Sequence, residues 1–390
     1  MSRGARTGHQ TVGRSRSSER RLLLACVRRG DALVDIQALL GSGLDWERML
    51  DEATRHGVAP LVYSTLRTAT GRASVPPAVM ERLARLYYQQ AALNGRRYAE
   101  LRKIVKGCAR AGIRVLVLKG AAIAERVYGN IALCPMQDLD ILVGRSDLDA
   151  TDRFLREMGY VPDEGHHSAT WYRDHHHHLP PYVRPDGWAR VEVHHHILPP
   201  PASVRIPIED LWRRAGPLAA GGEALGLCPE DLLLHLCLHV SLQHQFCLGL
   251  RPFCEIAATM RHYGEGIDWE QVRHRTCRWG VRKSVYLTLR LAQDLAGAAV
   301  PNGLLDALYP EGFDPQVIDW ARAQVFADER PIRSLPSTLA QLRGRVPFTE
   351  RHGGNVSDVP RLEADLSLLS GPVEGSSAAP RPLGVAAPAA

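Results

Sequence analysis

The spacing of apolar residues changes twice along this chain, and these two changes restrict its fold more than any other feature. From about residue 21 to 111, and again from 229 to about 345, apolar residues recur every three or four positions, which is typical of amphipathic helices. Between these regions, runs such as "IRVLVLKG" and "QDLDILV" are continuously apolar or alternate, as strands do. The sequence therefore predicts an α+β fold, with a small mixed β-sheet core flanked by N-terminal and C-terminal helical domains.

The domain boundaries follow from the same pattern and from composition. Arginine is frequent before the first apolar run, and the last part of the chain is rich in glycine, proline and alanine. Such segments lack the apolar residues that a core requires. The predicted order is a disordered basic tail at 1–20, a helical domain at 21–111, an α/β core at 112–228, a second helical domain at 229–345 and a mostly disordered tail at 346–390.

Charge and cysteine usage narrow the class of protein. The formal net charge is +6, part of which belongs to the basic N-terminal segment, so we expect no nucleic-acid surface. No apolar run reaches the length of a membrane span, so no membrane partner is expected. The eight cysteines form no C-x-x-C pair, which favours a reducing compartment and a cytoplasmic location. Richness in arginine and alanine suggests a bacterial genome of high GC content.

Two aspartates begin the apolar run "QDLDILV", where an unpaired buried carboxylate would be costly. Asp138 and Asp140 project to the same side of a strand, about 6 to 7 Å apart. Glu192, in the strand-like "VEVHHH", can reach them from another strand of the same sheet. Three carboxylates with no convergent cysteines favour Mg²⁺ or Mn²⁺ over zinc. The sequence thus predicts a metal site of Asp138, Asp140 and Glu192, of the type that promotes phosphoryl displacement.

A second motif, Lys119-Gly120, ends the strand-like run that precedes the aspartates. At a turn from strand to helix, a lysine and free backbone N–H groups can bind the phosphates of a nucleoside triphosphate. Gly120 would allow the phosphates to approach the main chain. His194 and His196 lie on the same face of their predicted strand as Glu192, and we expect one of them to contact substrate or phosphate.

These motifs together resemble those of the uncharacterised nucleotidyltransferase family 5, within the DNA polymerase β-type nucleotidyltransferase superfamily. The similarity covers about residues 116–301 and is carried by "LKG" with "ERVYGN", by "DLDILV", by "VEVHHHI" and by "DLLLHLCLH" followed by "IDW". It implies Mg²⁺-dependent transfer of a nucleoside monophosphate from an NTP such as ATP to a hydroxyl or amine, with release of pyrophosphate. The acceptor, a small molecule or a protein, is not specified by the sequence. By position, the resemblance assigns metal ligation to Asp138, Asp140 and Glu192, and nucleotide contacts to Lys119, Gly120 and His194.

Two other functions remain open at this point. Cys134 shortly before the aspartates, and the lack of a serine after Gly120, are compatible with a catalytically silent binding protein of the same fold. Nine of the seventeen histidines lie between His166 and His196, which is compatible with a transition-metal-binding protein. His235 and His239 are spaced as zinc ligands on a helix can be, but leucines flank them, and we interpret them as packing residues.

Overall fold

The fold is that of a computed structural model, which describes residues 8–28, 33–69, 74–163, 167–200, 205–218 and 223–327 of the 390-residue chain. The predicted tail at 346–390 and the first seven residues lie outside this part. Helices and one mixed sheet make up the described chain, as the α+β prediction requires.

The sheet has seven strands in the order β3-β4-β5-β2-β1-β7-β6. The strands are β1 Leu116–Val117, β2 Leu139–Leu142, β3 Val161–Pro162, β4 Tyr182–Val183, β5 Arg190–His194, β6 Gly216–Pro217 and β7 Leu225–Gly226. The central strand β2 runs antiparallel to β1 and parallel to β5, and all four of its residues are buried. A short turn around residues 185–187 joins β4 to β5, which are antiparallel. The mixed sheet expected from the alternating runs is therefore confirmed.

In the part of the chain described before the sheet, five helices build the N-terminal helical region. They are α1 Gly8–Arg28, α2 Leu33–Leu40, α3 Trp46–Arg55, α4 Ala59–Thr68 and α5 Pro77–Arg110. Helix α1 begins inside the segment predicted to be a disordered tail, so residues 8–20 are helical instead. The buried Leu22, Leu23 and Cys26 fix the later part of this helix against the core, and the helix extends from that anchor toward the N-terminus.

Within the described residues, four helices lie between successive strands, the fourth of them between β5 and β6, and six follow the last strand. They are α6 Lys119–Arg126, α7 Leu148–Glu157, α8 Ala169–His175, α9 Ile208–Arg214, α10 Pro229–Leu238, α11 Arg251–Tyr263, α12 Trp269–Arg278, α13 Arg282–Ala296, α14 Leu304–Leu308 and α15 Gln316–Val325. A single π-helical turn, His239–Gln243, continues α10. Buried side chains from the helices on both sides of the sheet join those of the sheet in one contiguous core. In the described part of the chain, no helix combines the length and the apolar character needed to cross a membrane.

Gly249 shows how closely the two helical regions approach each other. Its φ is +71°, and a Cβ at this position would lie 2.7 Å from His56 Nδ1 and 3.0 Å from His56 Cα. Two residues later, the backbone N–H of Arg251 donates to the His56 carbonyl at 3.2 Å. A side chain at position 249 would therefore force apart the backbone of the α3–α4 connection and the start of α11.

We expect Gly249→Ala to lower the free energy of unfolding by about 2 to 4 kcal/mol, because the positive φ and the contact with His56 both oppose a Cβ. Gly312→Ala is the matched control, since Gly312 has φ +62° but no atom within 4 Å of its added Cβ. That variant should lose only about 1 kcal/mol. Urea unfolding of the two variants measures the difference, and equal losses would show that the contact with His56 has no energetic effect.

Candidate active site

The pairing of β2 with β5 places two acidic residues side by side. Asp140 lies opposite Glu192 in the register of these parallel strands, and His194 is the next residue on the same face of β5. On the other side of β2, the backbone N–H of Leu118, directly after β1, donates to the Asp140 carbonyl at 2.9 Å. The end of β1, and with it Lys119, therefore reaches the same point of the sheet.

Asp140 is almost completely buried, with 3% of its side chain exposed. Its Oδ1 accepts a hydrogen bond from Lys119 Nζ at 2.7 Å and another from His194 Nε2 at 2.8 Å. Burial would raise the pKa of Asp140, but Lys119 and His194 hold it well below its usual range. Since an ionised carboxylate only accepts hydrogen bonds, His194 carries its proton on Nε2. Both contacts fall on Oδ1, so Oδ2 is the oxygen that can face a cation.

Lys119 adopts an unusual backbone conformation for a residue with a side chain, with φ at +48°. Such conformations cost energy and occur most often at functional sites, where the surrounding structure imposes them. The Lys119 ammonium lies 3.9 Å from Glu192 Oε2 in addition to its contact with Asp140. Burial would lower the pKa of Lys119, but the two carboxylates raise it. The residue therefore stays positively charged at neutral pH.

Glu192 differs from Asp140 in its protonation, although the two are neighbours. Its side chain is 15% exposed, and Arg190 Nε approaches Oε1 only to 3.8 Å. Burial, and then the negative charge of Asp140, raise the pKa of Glu192 to about 7. The pair thus contains one permanently ionised carboxylate and one that gains or loses a proton near neutral pH.

Three ligand atoms at this point of the sheet could hold one metal ion. Carboxylate or imidazole atoms of Asp140, Glu192 and His194 all lie within 4.8 Å of one another. Because His194 donates through Nε2 to Asp140, this nitrogen has no lone pair for an ion, and the two carboxylates are the ligands that suit Mg²⁺ or Mn²⁺ here. The residues present therefore fit a divalent cation, but the set differs from the three carboxylates predicted from the sequence.

Asp138, at the entry to β2, lies outside this three-residue group in the described structure. It is partly exposed, and burial followed by the charge of Asp140 raises its pKa. Lys119 and Arg251 act in the opposite direction on the same carboxyl. Asp138 therefore belongs to the electrostatic surroundings of the site, and its role as a ligand stays a prediction.

Gly120 has a packing reason to be glycine. A Cβ at this position would lie 2.8 Å from Met136 Cγ, in the loop before β2. Helix α6 begins at Lys119, and its N-cap residue, Leu118, makes no side-chain capping bond. The N-cap side chain therefore does not occupy the first N–H groups of α6. An anion-binding turn requires such available N–H groups, and here they follow Leu118 and begin at Lys119.

Arg251 is a residue of the site region that the sequence analysis missed. From the start of α11, its Nη1 donates to the Pro135 carbonyl at 2.7 Å, and its Nε lies 3.5 Å from Glu255 Oε1. Cys134 donates through its thiol to the same Glu255 oxygen at 3.6 Å. Arg251 and Pro135 are 116 residues apart, and no local spacing in the sequence relates them.

Histidines surround the carboxylate pair on several sides. The rings of His177 and His178 each lie 5.2 Å from the ring of His194. Burial lowers the pKa of His178 to about 4 and that of His235 to about 3, so both are neutral at pH 7. His235, interpreted as a packing residue, is indeed buried on α10, but neither of its ring nitrogens has a hydrogen-bond partner among the described residues.

Comparison with known proteins places these residues in a wider group. Residues 42–297, about two thirds of the chain, match the family model described as uncharacterised nucleotidyltransferase. The matched segment contains all of the strands and every residue of the candidate site. No curated protein and no solved structure gives a significant match.

Proposed function

Because the chain belongs to the uncharacterised nucleotidyltransferase family, we propose that it is a metal-dependent enzyme that transfers a nucleoside monophosphate from an NTP to a hydroxyl or amine. The observation that carries this proposal is the pairing of Asp140 with Glu192 on neighbouring parallel strands, next to the Lys119 ammonium. This arrangement combines ligands for a divalent cation with a cation for phosphate. Pyrophosphate is the second product.

Asp140 and Glu192 would hold Mg²⁺ or Mn²⁺, with His194 beside them and Asp138 at the edge of the site. The ion, when bound, neutralises charge on the phosphates during an in-line displacement. In phosphoryl transfer, most of the catalytic effect comes from positioning and from electrostatic stabilisation. Asp140 suits ligation because Lys119 and His194 keep it ionised and fix its orientation.

Lys119 and the start of α6 would bind the triphosphate. Lys119 is the first residue of this helix. Its ammonium and the backbone N–H groups of the first turn, which have no side-chain cap, can therefore contact the same phosphate group. Such contacts hold the α-phosphorus in reach of the acceptor and stabilise the charge that develops on the leaving pyrophosphate.

Glu192 is the residue best suited to take the proton of the acceptor. Without a bound ion, burial and Asp140 raise the pKa of Glu192 to about 7; with the ion bound, Glu192 is ionised, and its second oxygen can accept a proton. In the proposed reaction, the acceptor oxygen or nitrogen forms a bond to the α-phosphorus while its proton passes to Glu192. The bond from the α-phosphorus to the bridging oxygen breaks, and pyrophosphate leaves with that electron pair.

Pyrophosphate release across ATP, CTP, GTP and UTP, with Mg²⁺ and a cell extract as the source of acceptor, tests the proposal. The full chain should release pyrophosphate with at least one nucleotide, and chelation of the metal should stop the reaction. Asp306→Asn on the exposed side of α14 is the control for the loss of an acidic residue, and should react like the unaltered protein. Nucleotide binding without pyrophosphate release would instead support the catalytically silent protein.

The raised pKa of Glu192 predicts that Mg²⁺ binding depends on pH. A protonated carboxyl is a poor metal ligand, so the apparent affinity for Mg²⁺ should fall as the pH decreases from 8 to 6. Calorimetry in two buffers of different ionisation enthalpy should detect proton release on binding near pH 7. Glu192→Gln should bind Mg²⁺ more weakly and with little dependence on pH in this range. An equally steep dependence in that variant would assign the titration to another group.

A further inference from the structure

The histidine run that precedes β4 is held against β5 by main-chain hydrogen bonds. The backbone N–H groups of His195 and His196 both donate to the His177 carbonyl, at 2.9 and 3.2 Å. Leu179 N donates to the Val193 carbonyl at 2.9 Å, and His178 pairs with His194 in an antiparallel bridge. The backbone of the run is therefore fixed in position, in contrast to a mobile histidine tag.

Three consecutive histidines of this run bring their rings together. The ring centroids of His176 lie 4.5 Å from those of His177 and 4.1 Å from those of His178, and the latter two are 4.8 Å apart. One nitrogen from each ring lies within 4.8 Å of the other two. Nitrogens bound to one tetrahedral ion at about 2.1 Å are roughly 3.4 Å apart, so small side-chain rotations would bring all three into ligand distance.

The hydrogen bonding of these rings is incomplete without a further partner. His176 Nδ1 and His177 Nδ1 are buried and have no hydrogen-bond partner among the described residues. Only 5% of His177 is exposed, so bulk water has little access to supply the missing hydrogen bonds. An unpaired buried polar atom destabilises the fold, and two neighbouring residues of this run each contain one. A bound cation would remove this cost.

His178 is oriented in the way that a metal ligand usually is. Its Nδ1 lies 2.6 Å from the Leu179 carbonyl oxygen, to which it can only donate, so Nε2 carries the free lone pair. A hydrogen bond from the second ring nitrogen to a carbonyl fixes the tautomer of most metal-binding histidines. The neighbouring His194 shows the same feature with a carboxylate, since its Nε2 donates to Asp140 while its buried Nδ1 has no hydrogen-bond partner in the described structure.

We propose that His176, His177 and His178 form a transition-metal site of the zinc class, distinct from the carboxylate site for Mg²⁺. Imidazole ligands select zinc and similar ions over magnesium, which prefers oxygen. The ring of His194 separates the two sites and supplies a candidate fourth ligand through Nδ1. A zinc ion bound here fixes the His194 ring from one side, while Asp140 holds it from the other.

Metal analysis of full-length protein made without an affinity tag tests this site. After removal of metals with a chelator and addition of Zn²⁺, the protein should retain one equivalent of zinc, and Co²⁺ should give the absorption bands of a tetrahedral site. His177→Ala should weaken the affinity by about 100-fold or more, in line with the loss of a ligand. His176→Ala, at a less buried ligand, is the second variant if His177→Ala fails to fold, as judged by circular dichroism.

His175→Ala is the matched control, because His175 belongs to the same run but is exposed and bonded to the Trp171 carbonyl. It should bind zinc as the unaltered protein does, and so should Glu192→Gln, which alters only the carboxylate site. The proposal is overturned if no stoichiometric zinc binds, if His175→Ala and His177→Ala weaken binding equally, or if Glu192→Gln alone removes the zinc. None of these outcomes bears on pyrophosphate release with Mg²⁺, which is measured separately.

Discussion

Asp140→Asn is expected to reduce pyrophosphate release by about 1,000-fold or more and to destabilise the fold by about 3 to 5 kcal/mol. The first effect follows from the proposed function, because the variant loses the carboxylate that Lys119 and His194 orient for metal ligation. The second follows because Lys119 keeps its charge in a buried position after its closest partner, 2.7 Å away, has become neutral. Glu192 lies 3.9 Å from the ammonium and compensates in part, which favours the lower end of this range.

A double variant separates the two effects of this substitution. In Lys119→Met with Asp140→Asn, both charges are absent, so most of the lost stability should return while pyrophosphate release stays absent. Denaturant unfolding and the pyrophosphate assay, applied to the single and double variants, complete the cycle. An active Asp140→Asn protein would refute the metal assignment, and a fully stable one would show that the buried ion pair contributes nothing.

Arg251→Met is expected to lower the free energy of unfolding by about 2 to 4 kcal/mol, because it leaves Glu255 buried without its cation. Burial raises the pKa of Glu255 and Arg251 lowers it, so without Arg251 this carboxyl binds a proton more readily. The loss of stability should therefore be larger at pH 8 than at pH 5. Activity should also fall, by about tenfold, because the Pro135 carbonyl before the aspartates loses its donor.

Two comparisons check the interpretation of Arg251. The double variant Arg251→Met with Glu255→Gln should regain much of the lost stability, since no unpaired charge remains. Arg261→Met on the exposed face of the same helix should change stability by less than about 0.5 kcal/mol. If Arg251→Met lost the same free energy at pH 5 and pH 8, the pairing with Glu255 would not be the cause.

Local patterns in the sequence were sufficient to predict the class of the fold and the proximity of Asp140 and Glu192. Alternation in "QDLDILV" and "VEVHHH" predicts both strands and the faces of Asp140 and Glu192, and the parallel pairing of β2 with β5 brings these residues together. Residues 8–20 were assigned to a tail instead of to α1 because arginine and serine residues carry little apolar signal, while the core contacts that anchor the helix come later in the chain. The domain boundaries stay predictions.

Features that depend on distant residues were beyond the reach of the sequence. The spacing of "LKG" does not predict that Lys119 has a positive φ. It also does not predict that the Lys119 ammonium donates to Asp140. Nothing near Pro135 predicts that a guanidinium from α11 holds its carbonyl. The hydrogen bond of His194 with Asp140 depends on the register between β5 and β2, and the sequence of one strand alone does not determine that register.

The parallel pairing of β2 with β5 also affects how the chain matures during synthesis. Asp140 and its partner His194 are 54 residues apart, so β2 leaves the ribosome well before the strand that will cover it. Until then, its apolar residues lie on an open edge, which is the type of segment that aggregates. Because Asp138 and Asp140 are charged and hydrated in that interval, they also act as gatekeepers against aggregation. The same carboxylates thus protect the nascent strand first and lie at the candidate site of the folded protein afterwards.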